Sequence, residues 1–384
     1  MQRPVLSLCL SAALLPLLAS AQPSSPTCAL NGKPCPLPTW EPSWNLTQST
    51  VIQPSSSSWF IPSHPWGLIS LDWSVNRATW YANHSIFNTT CEATSIENCR
   101  RLKAAGLAHR CFIYHNQELA LLWLESQREV MLDPAKADWF LQYEWDNVTH
   151  RGNGTIYNEA RAEGYQYFWN HLNREAADYF VSSIDAVLDD DSVDGTFTDD
   201  VDGLPAEHPL AQARIGMTDD GLAALRFATQ TTIQLLIDTL AAHGKYNWQA
   251  FGSRDTSATG PGAASRGAPF GLGPPTPSTC AAWMRNNCAA AIQDQPMLMK
   301  MDNTPSNANQ TLAAFLIVRP PHGYLGWSWE SGDEKWNDLF YLQTGEPQGL
   351  CAEAPAGVFS RVWSAGTAQL DCNKWAAELP FPSL

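Results

Sequence analysis

The chain has 384 residues, with 38 acidic side chains against 23 basic ones and a formal charge of −15. That balance argues against nucleic acid or an anionic membrane surface as a partner and favours neutral substrates. The length allows one large core, as a single embellished barrel or as two smaller domains, and the seventeen Trp and ten Tyr exceed what such a core usually needs. Sugar rings stacking on aromatic faces are one use for the surplus, and plain packing is the other.

Arg3, an apolar run from Val5 to Leu18 and the small-residue triplet Ala19-Ser20-Ala21 predict a secretory signal peptide over 1–21. No later run of 18 apolar residues follows, so the expectation is a secreted, extracellular chain without a membrane span. Asn45, Asn83, Asn88, Asn147, Asn153 and Asn309 each open an Asn-x-Ser/Thr sequon, which predicts a glycoprotein. Spacing groups the cysteines as Cys28 with Cys35, Cys91 with Cys99, Cys280 with Cys288 and Cys351 with Cys372. Cys111 is then an unpaired core thiol. No CxxC or HExxH occurs, and no metal or other cofactor is expected.

Pro, Ser and Thr dominate 22–58, which reads as a poorly structured lead. Trp66 to Asp72 is a buried strand, Ser95 to Ala108 a helix, and Arg110 to Asn116 a second strand. Ala137 to Tyr143 is taken as a third strand and Tyr157 to Val187 as a long helical pattern, of which Ala176 to Leu188 is amphipathic. Val193 to Thr198 is the fourth strand, Gly221 to His243 a helix and Tyr246 to Phe251 the fifth strand. After a Gly/Pro/Ser/Ala-rich loop from Gly252 to Ser278 come a helix from Thr279 to Ile292 and a sixth strand, Met297 to Met301. Ala308 to Val318 fits helix or strand, and Tyr324 to Glu330 is the last strand. Alternation at this spacing implies a parallel sheet closed into a (β/α)8 TIM barrel. No GxGxxG follows the first strand, so a dinucleotide fold has no support.

In such a barrel the strand ends share one rim: Asp72, Asn116 with Glu118, Glu144 with Asp146, Asp199 with Asp200, Gln249 and Glu330. Trp73, Tyr114, Trp145, Trp248, Trp327 and Trp329 are interleaved with them, which describes a sugar cleft with acids for glycosidic chemistry. The run Asp194-Gly195-Thr196-Phe197-Thr198-Asp199-Asp200-Val201-Asp202-Gly203 concentrates three carboxylates in four positions. Strand alternation sets Thr196 and Thr198 on one face and Phe197 and Asp199 on the other, so that Asp199 and Asp200 diverge. Asp199 is the first choice as nucleophile or base, and Asp200 is the runner-up.

Glu330 reads as the acid, or else as a hydroxyl-binding or capping residue. Asp72 either binds a hydroxyl or pairs with Arg77, and Glu118 either serves the reaction or sits in a first helical turn. The further substrate-binding candidates are Trp73, Tyr114, Asn116, Trp248, Gln249, Trp327 and Trp329. Asp202-Gly203 reads as a turn as readily as a site. A calcium site or metal-dependent hydrolase built on Asp199, Asp200 and Asp202 lacks further ligand spacing. His115, His208 and His322 are lone histidines without metal spacing, and no GxSxG elbow is present.

Asp194-Gly195-Thr196-Phe197-Thr198-Asp199-Asp200 resembles the "DG-hydrophobic-Phe-x-Asp" strand of the glycosyl hydrolase-like TIM-barrel family, a pattern similar to that of endo-α-1,4-polygalactosaminidases. Leu68 to Trp73 is similar to their first strand. Ala313 to Val318, Gly323 to Trp327, Gly357 to Trp363 and Gly366 to Leu370 are similar to their close. The resemblance implies a glycoside hydrolase with Asp199 in the catalytic position, Ala313 to Val318 helical, and a strand pair after the eighth repeat. It fixes no second carboxylate.

The expected layout is a barrel over 59–345 and a short C-terminal β extension over 346–384, closed by the Cys351 to Cys372 disulfide. The expected protein is a monomeric secreted glycoside hydrolase acting on an extracellular or cell-wall polysaccharide or oligosaccharide. A non-catalytic carbohydrate-binding or wall-associated barrel is the alternative.

Overall fold

A computed structural model of the chain describes residues 27–28, 33–34, 36–45, 50–52, 62–79, 91–159, 166–200, 209–249, 270–272, 275–288, 296–301, 307–327 and 338–383. The signal peptide over 1–21, Glu330, Trp329, Asp202, His208 and the proposed Cys28 to Cys35 bond lie outside them.

The fold is mixed α/β, built on eight parallel strands. They are β1 (Thr50–Ile52), β2 (Trp66–Leu71), β3 (Ala108–Asn116), β4 (Gly195–Asp199), β5 (Tyr246–Gln249), β6 (Phe270–Leu272), β7 (Met297–Met301) and β8 (Gly323–Trp327). One sheet has the order β5-β4-β3-β2-β1 and the other β6-β7-β8. All these pairings are parallel. Among the described residues no ladder joins the two sheets, so the closed barrel expected from the sequence is seen here as two facing sheets. β8 lies beside β1, and Trp248 of β5 meets Tyr324 of β8 edge-on at 5.9 Å across the space between the sheets.

Strand alternation divides the core in two. Leu68, Phe112, Tyr114, Phe197, Tyr246, Trp248, Leu298 and Tyr324 pack together on the inner faces. Ile69, Leu71, Cys111, Ile113, Met297, Met299 and Leu325 face outward onto the helices α1 (Cys91–Ala104), α2 (Arg174–Val187), α3 (Asp219–Ala242), α4 (Cys280–Asn287) and α5 (Ala308–Val318). Gly195 is required where β4 begins, because its φ is +151° and a Cβ there would stand 1.8 Å from the Tyr246 carbonyl oxygen.

Several expectations are corrected. Residues 137–143 form no barrel strand: Pro134 and the Asp133 side chain, which accepts from the Ala135 amide at 2.9 Å, start a 3-10 turn over Pro134–Trp139. Phe140 and Gln142 then make only single bridges. Glu144 and Asp146 stand exposed on a surface turn, where Asp146 caps Val148 and Thr149. The helix expected from Tyr157 begins only at Arg174, where Asn173 caps it. Asn158–Glu159 and Gln166–Phe168 instead pair antiparallel, and Gln166–Phe168 pairs with Leu119–Leu121 beyond the end of β3.

The cysteine pairing differs as well. Among the described residues the bonds are Cys99 to Cys111, Cys280 to Cys372 and Cys288 to Cys351, and Cys91 is buried and free. Cys91 and Cys99 belong to one helix, where eight residues rise about 12 Å, well past the reach of a disulfide. The same spacing holds Cys280 from Cys288.

Within the lead expected to be poorly structured, residues 36–45 are packed against the rest. The buried Arg319 guanidinium donates to the carbonyls of Trp44 and Ser43 at 2.9 and 2.8 Å. Trp40 meets Phe112, Tyr246 and His322 with ring centroids 5.8–5.9 Å apart, at the end of the sheets where the strands begin. The C-terminal sheet pairs Ala352–Glu353, Val358–Trp363, Gly366–Asp371 and Ala376–Glu378 antiparallel in that order. It packs on α5, which is helical as the family resemblance implies. No helix among the described residues is long and apolar enough to cross a membrane.

Candidate active site

The two ends of β4 carry aspartates with different chemistry. At its start Asp194 meets the Lys103 ammonium at 2.7 Å and the Arg110 guanidinium at 2.9 Å, and it accepts from the Cys111 amide at 2.7 Å. Those partners satisfy it structurally. At the far end Asp199 lies only 8% exposed, and among the described residues no cation is bonded to it. Its Oδ2 accepts from the Tyr114 hydroxyl at 2.8 Å, and its Oδ1 accepts from the Asp200 amide at 3.0 Å.

Phe197 and Asp199 face inward while Thr196 and Thr198 face out, where both hydroxyls accept from the Asn247 amide, as alternation requires. The expected divergence of Asp199 and Asp200 is overturned. Asp200 adopts a left-handed φ of +48°, and its Oδ2 accepts from Asn116 Nδ2 at 2.7 Å. Asn116 Nδ2 also donates to the Tyr114 hydroxyl at 3.0 Å, so both aspartates join one network with β3.

Burial and then the Asp200 charge push the Asp199 carboxyl up from 3.8 to about 7, against the two bonds that favour its anion. Asp72 follows β2 and is 6% exposed. Burial raises it to about 6, outweighing the Ser74 amide it accepts at 3.2 Å and the Arg77 charge. Pairing with Arg77 is therefore the smaller influence on it. The Asp72 charge also acts on Asp199 and on Tyr114, whose phenol is held well above its usual range by burial. Three carboxylates and a phenol thus share one poorly solvated end of the sheet. Perturbed acids gathered in this way mark a candidate catalytic centre.

Among the other expected residues, Trp73 is half-buried beside Asp72, with the Arg77 guanidinium 4.1 Å from its ring centre and the Trp123 ring at 5.7 Å. Glu118 is buried, but no helix starts there. Its amide donates to Asn116 Oδ1 in a bend before Leu119–Leu121, so the first-turn role is excluded. Trp248 is fully buried in the inner core and offers no face to a sugar. Gln249 is also fully buried, on the outward face it shares with Asn247. Full burial thus argues against Trp248 as a substrate contact, and strand parity against Gln249. Trp327 ends β8.

Ser74, whose amide donates to Asp72, and Trp123, whose indole donates to the Trp73 carbonyl, also belong to this end of the sheet. The Asp-x-Ser turn signals the first in the sequence, and nothing in the sequence marks the second. His115 and His322 are buried, held near 4 by desolvation, and stand as structural residues on the outer face of β3 and against Trp40. Among the described residues no group of three His, Cys, Asp or Glu is arranged to hold a metal ion.

No family model matches the chain, and no curated protein does. The solved structures similar to it in outline are glycoside hydrolases. A GH31 dextranase of Flavobacterium johnsoniae, complexed with glucose, is 9% identical with a TM-score of 0.45, covering 80% of this chain and 40% of that one. This chain therefore spans less than half the dextranase's length. The glycoside hydrolase domain of PelA from Pseudomonas aeruginosa is 12% identical with a TM-score of 0.40, over 73% of this chain and 94% of that one. Ega3 of Aspergillus fumigatus, complexed with galactosamine, is 11% identical with a TM-score of 0.32, over 79% and 84%. Likenesses this distant assign neither a family nor an activity to this chain.

Proposed function

We propose that the protein is a secreted glycoside hydrolase that cleaves an extracellular or cell-wall polysaccharide as a monomer, by carboxylate chemistry without a cofactor. The observation that carries this reading is the Asp199 carboxyl, buried at the C-terminal end of a parallel strand and gripped through both oxygens, with Asp200 and Asp72 close by. Seven parallel strands in chain order within 59–345, with Thr50–Ile52 of the preceding segment paired onto β2, support closure into a (β/α)8 barrel. A signal peptide over 1–21 and a lead over 22–58 precede it, and the β extension over 346–384 follows. Three disulfides suit an oxidising compartment.

In this reading Glu330 gives its proton to the departing glycosidic oxygen as the C–O bond breaks. Ionised Asp199 meets the positive charge at the anomeric carbon, as nucleophile or as the base that activates water. Asp72 accepts from a sugar hydroxyl, and Trp73, Trp327 and Trp329 flank the ring. Because Asp199 acts as an anion, kcat/KM rises with pH through about 7.

The test is release of reducing ends from a panel of fungal, plant and bacterial polysaccharides by wild type and Asp199→Asn. The expected result is cleavage of at least one member, lost by about 10³-fold or more in the variant. Equal turnover by the variant removes Asp199 from the mechanism. A wild type that binds the panel but cleaves none of it is the carbohydrate-binding barrel instead.

A further inference from the structure

Asn116 uses its whole hydrogen-bonding capacity on the protein. Nδ2 donates to the Tyr114 hydroxyl and to Asp200 Oδ2, and Oδ1 accepts from the amides of Glu118 and Leu119 at 2.9 and 2.7 Å. The amide's orientation is fixed by these partners, since main-chain N–H groups only donate and a carboxylate only accepts. The side chain is 2% exposed and has nothing left for a sugar hydroxyl. Its donation fixes the next proton too: the Tyr114 hydroxyl accepts from Asn116 and so gives its own hydrogen to Asp199. The Asp200 amide then donates to the other Asp199 oxygen and closes a ring through Asp199, Tyr114, Asn116 and Asp200.

Resting on the proposed hydrolase reading, we infer that Tyr114, Asn116 and Asp200 are positioning residues that act through this ring on Asp199 and do not themselves touch the substrate. Three residues that the sequence marks as substrate-binding or catalytic are thereby reassigned. The ring is complete only when Asp199 accepts at both oxygens, which is its anionic form. Asp200 works in two directions: its amide supports that anion, and its carboxylate opposes it across a site that water hardly enters. The left-handed backbone at Asp200 is tolerated by Asp, Asn and Gly, so Asp200→Asn keeps the turn and an acceptor for Asn116 while removing the charge.

Among the described residues, the titratable groups facing Asp199 are Tyr114 from β3, Asp72 at the end of β2 and Asp200 itself. β5 turns only neutral Trp248 to this side, and Arg77 acts at one remove, on Asp72. Removal of the Asp200 charge therefore has one dominant consequence, an easier ionisation of Asp199.

The experiment is a carboxyl carbon-13 NMR titration of aspartate-labelled protein, with the Asp199 resonance assigned by its loss in Asp199→Asn. In Asp200→Asn the Asp199 midpoint moves down by about one pH unit or more, and in Tyr114→Phe it moves up. On a cleaved substrate, the acid limb of kcat/KM shifts down in parallel for Asp200→Asn. Asn116→Asp lowers kcat by about 10²-fold with KM within about twofold of wild type. An unmoved Asp199 midpoint in Asp200→Asn overturns the inference, as does a raised KM with unchanged kcat in Tyr114→Phe or Asn116→Asp. Retained hydrolysis in Asp199→Asn would instead sink the parent reading, so the two failures are told apart.

Discussion

Asp199 concentrates the cost of a buried charge at one residue. Its folded value lies above the ordinary 3.8, so the stability linked to its proton is fully present below 3.8 and is lost as pH rises through about 7. Asparagine mimics the protonated carboxyl without that loss. Asp199→Asn should therefore gain thermal stability relative to wild type as pH rises from 4 to 7, with the gap level beyond, in melts followed by circular dichroism. A gap that shrinks over the same range would contradict the burial argument. Such a trade, stability given up where chemistry needs an ion in a dry place, is expected of a catalytic group and not of a satisfied structural one. Glu125 is pushed up to about 7 by burial as well; its Oε2 accepts from the Glu92 amide at 2.8 Å and so caps the start of α1.

At the scale of elements, two disulfides fasten α4 to the C-terminal sheet: Cys280 to Cys372 and Cys288 to Cys351. Non-reducing peptide mapping should recover those two linkages and Cys99 to Cys111, and no Cys280 to Cys288 peptide. In the chain-entropy account each of the long loops is worth about 4 kcal/mol, so Cys280→Ser with Cys372→Ser should melt well below wild type. A melt unchanged by that pair would remove the fastening role.

The sequence disclosed the strands well, because buried parallel strands are continuous apolar runs and alternation alone placed Phe197 and Asp199 inward. It disclosed the cysteine pairing poorly. Spacing favours near neighbours, yet Cys280 and Cys288 stand on a helix the same reading predicts, and helix geometry already forbids their union. Trp248 and Gln249 stand near a strand end yet are fully buried, because exposure there depends on the neighbouring strands, which the local sequence does not show. The ring on Asp199 was out of reach for a related reason: Asn116 and Asp200 are 84 positions apart, and a left-handed turn at Asp200 has no sequence signature.

Across the whole molecule, the two ends of the parallel sheets are put to different use. Where the strands begin, Asp194 binds two cations, Trp40 from the N-terminal lead covers the inner aromatic core, and Arg319 ties that lead to the C-terminal part of the fold. Where they end, Asp72, Asp199 and Asp200 are drawn together, and among the described residues no cation is bonded to Asp199. Stability at one end and reactivity at the other is the division that a parallel α/β fold permits. β4 carries both, with an aspartate at each extremity.

The most direct measurement sets Asp194→Asn beside Asp199→Asn in one assay of reducing-end release with melts taken in parallel. The account predicts that Asp194→Asn melts lower, by about 2–3 kcal/mol of stability, and keeps its turnover per folded molecule. Asp199→Asn should melt no lower than wild type and release nothing. Turnover surviving in Asp199→Asn, or lost in folded Asp194→Asn, would contradict the claim that the chemistry sits where β4 ends.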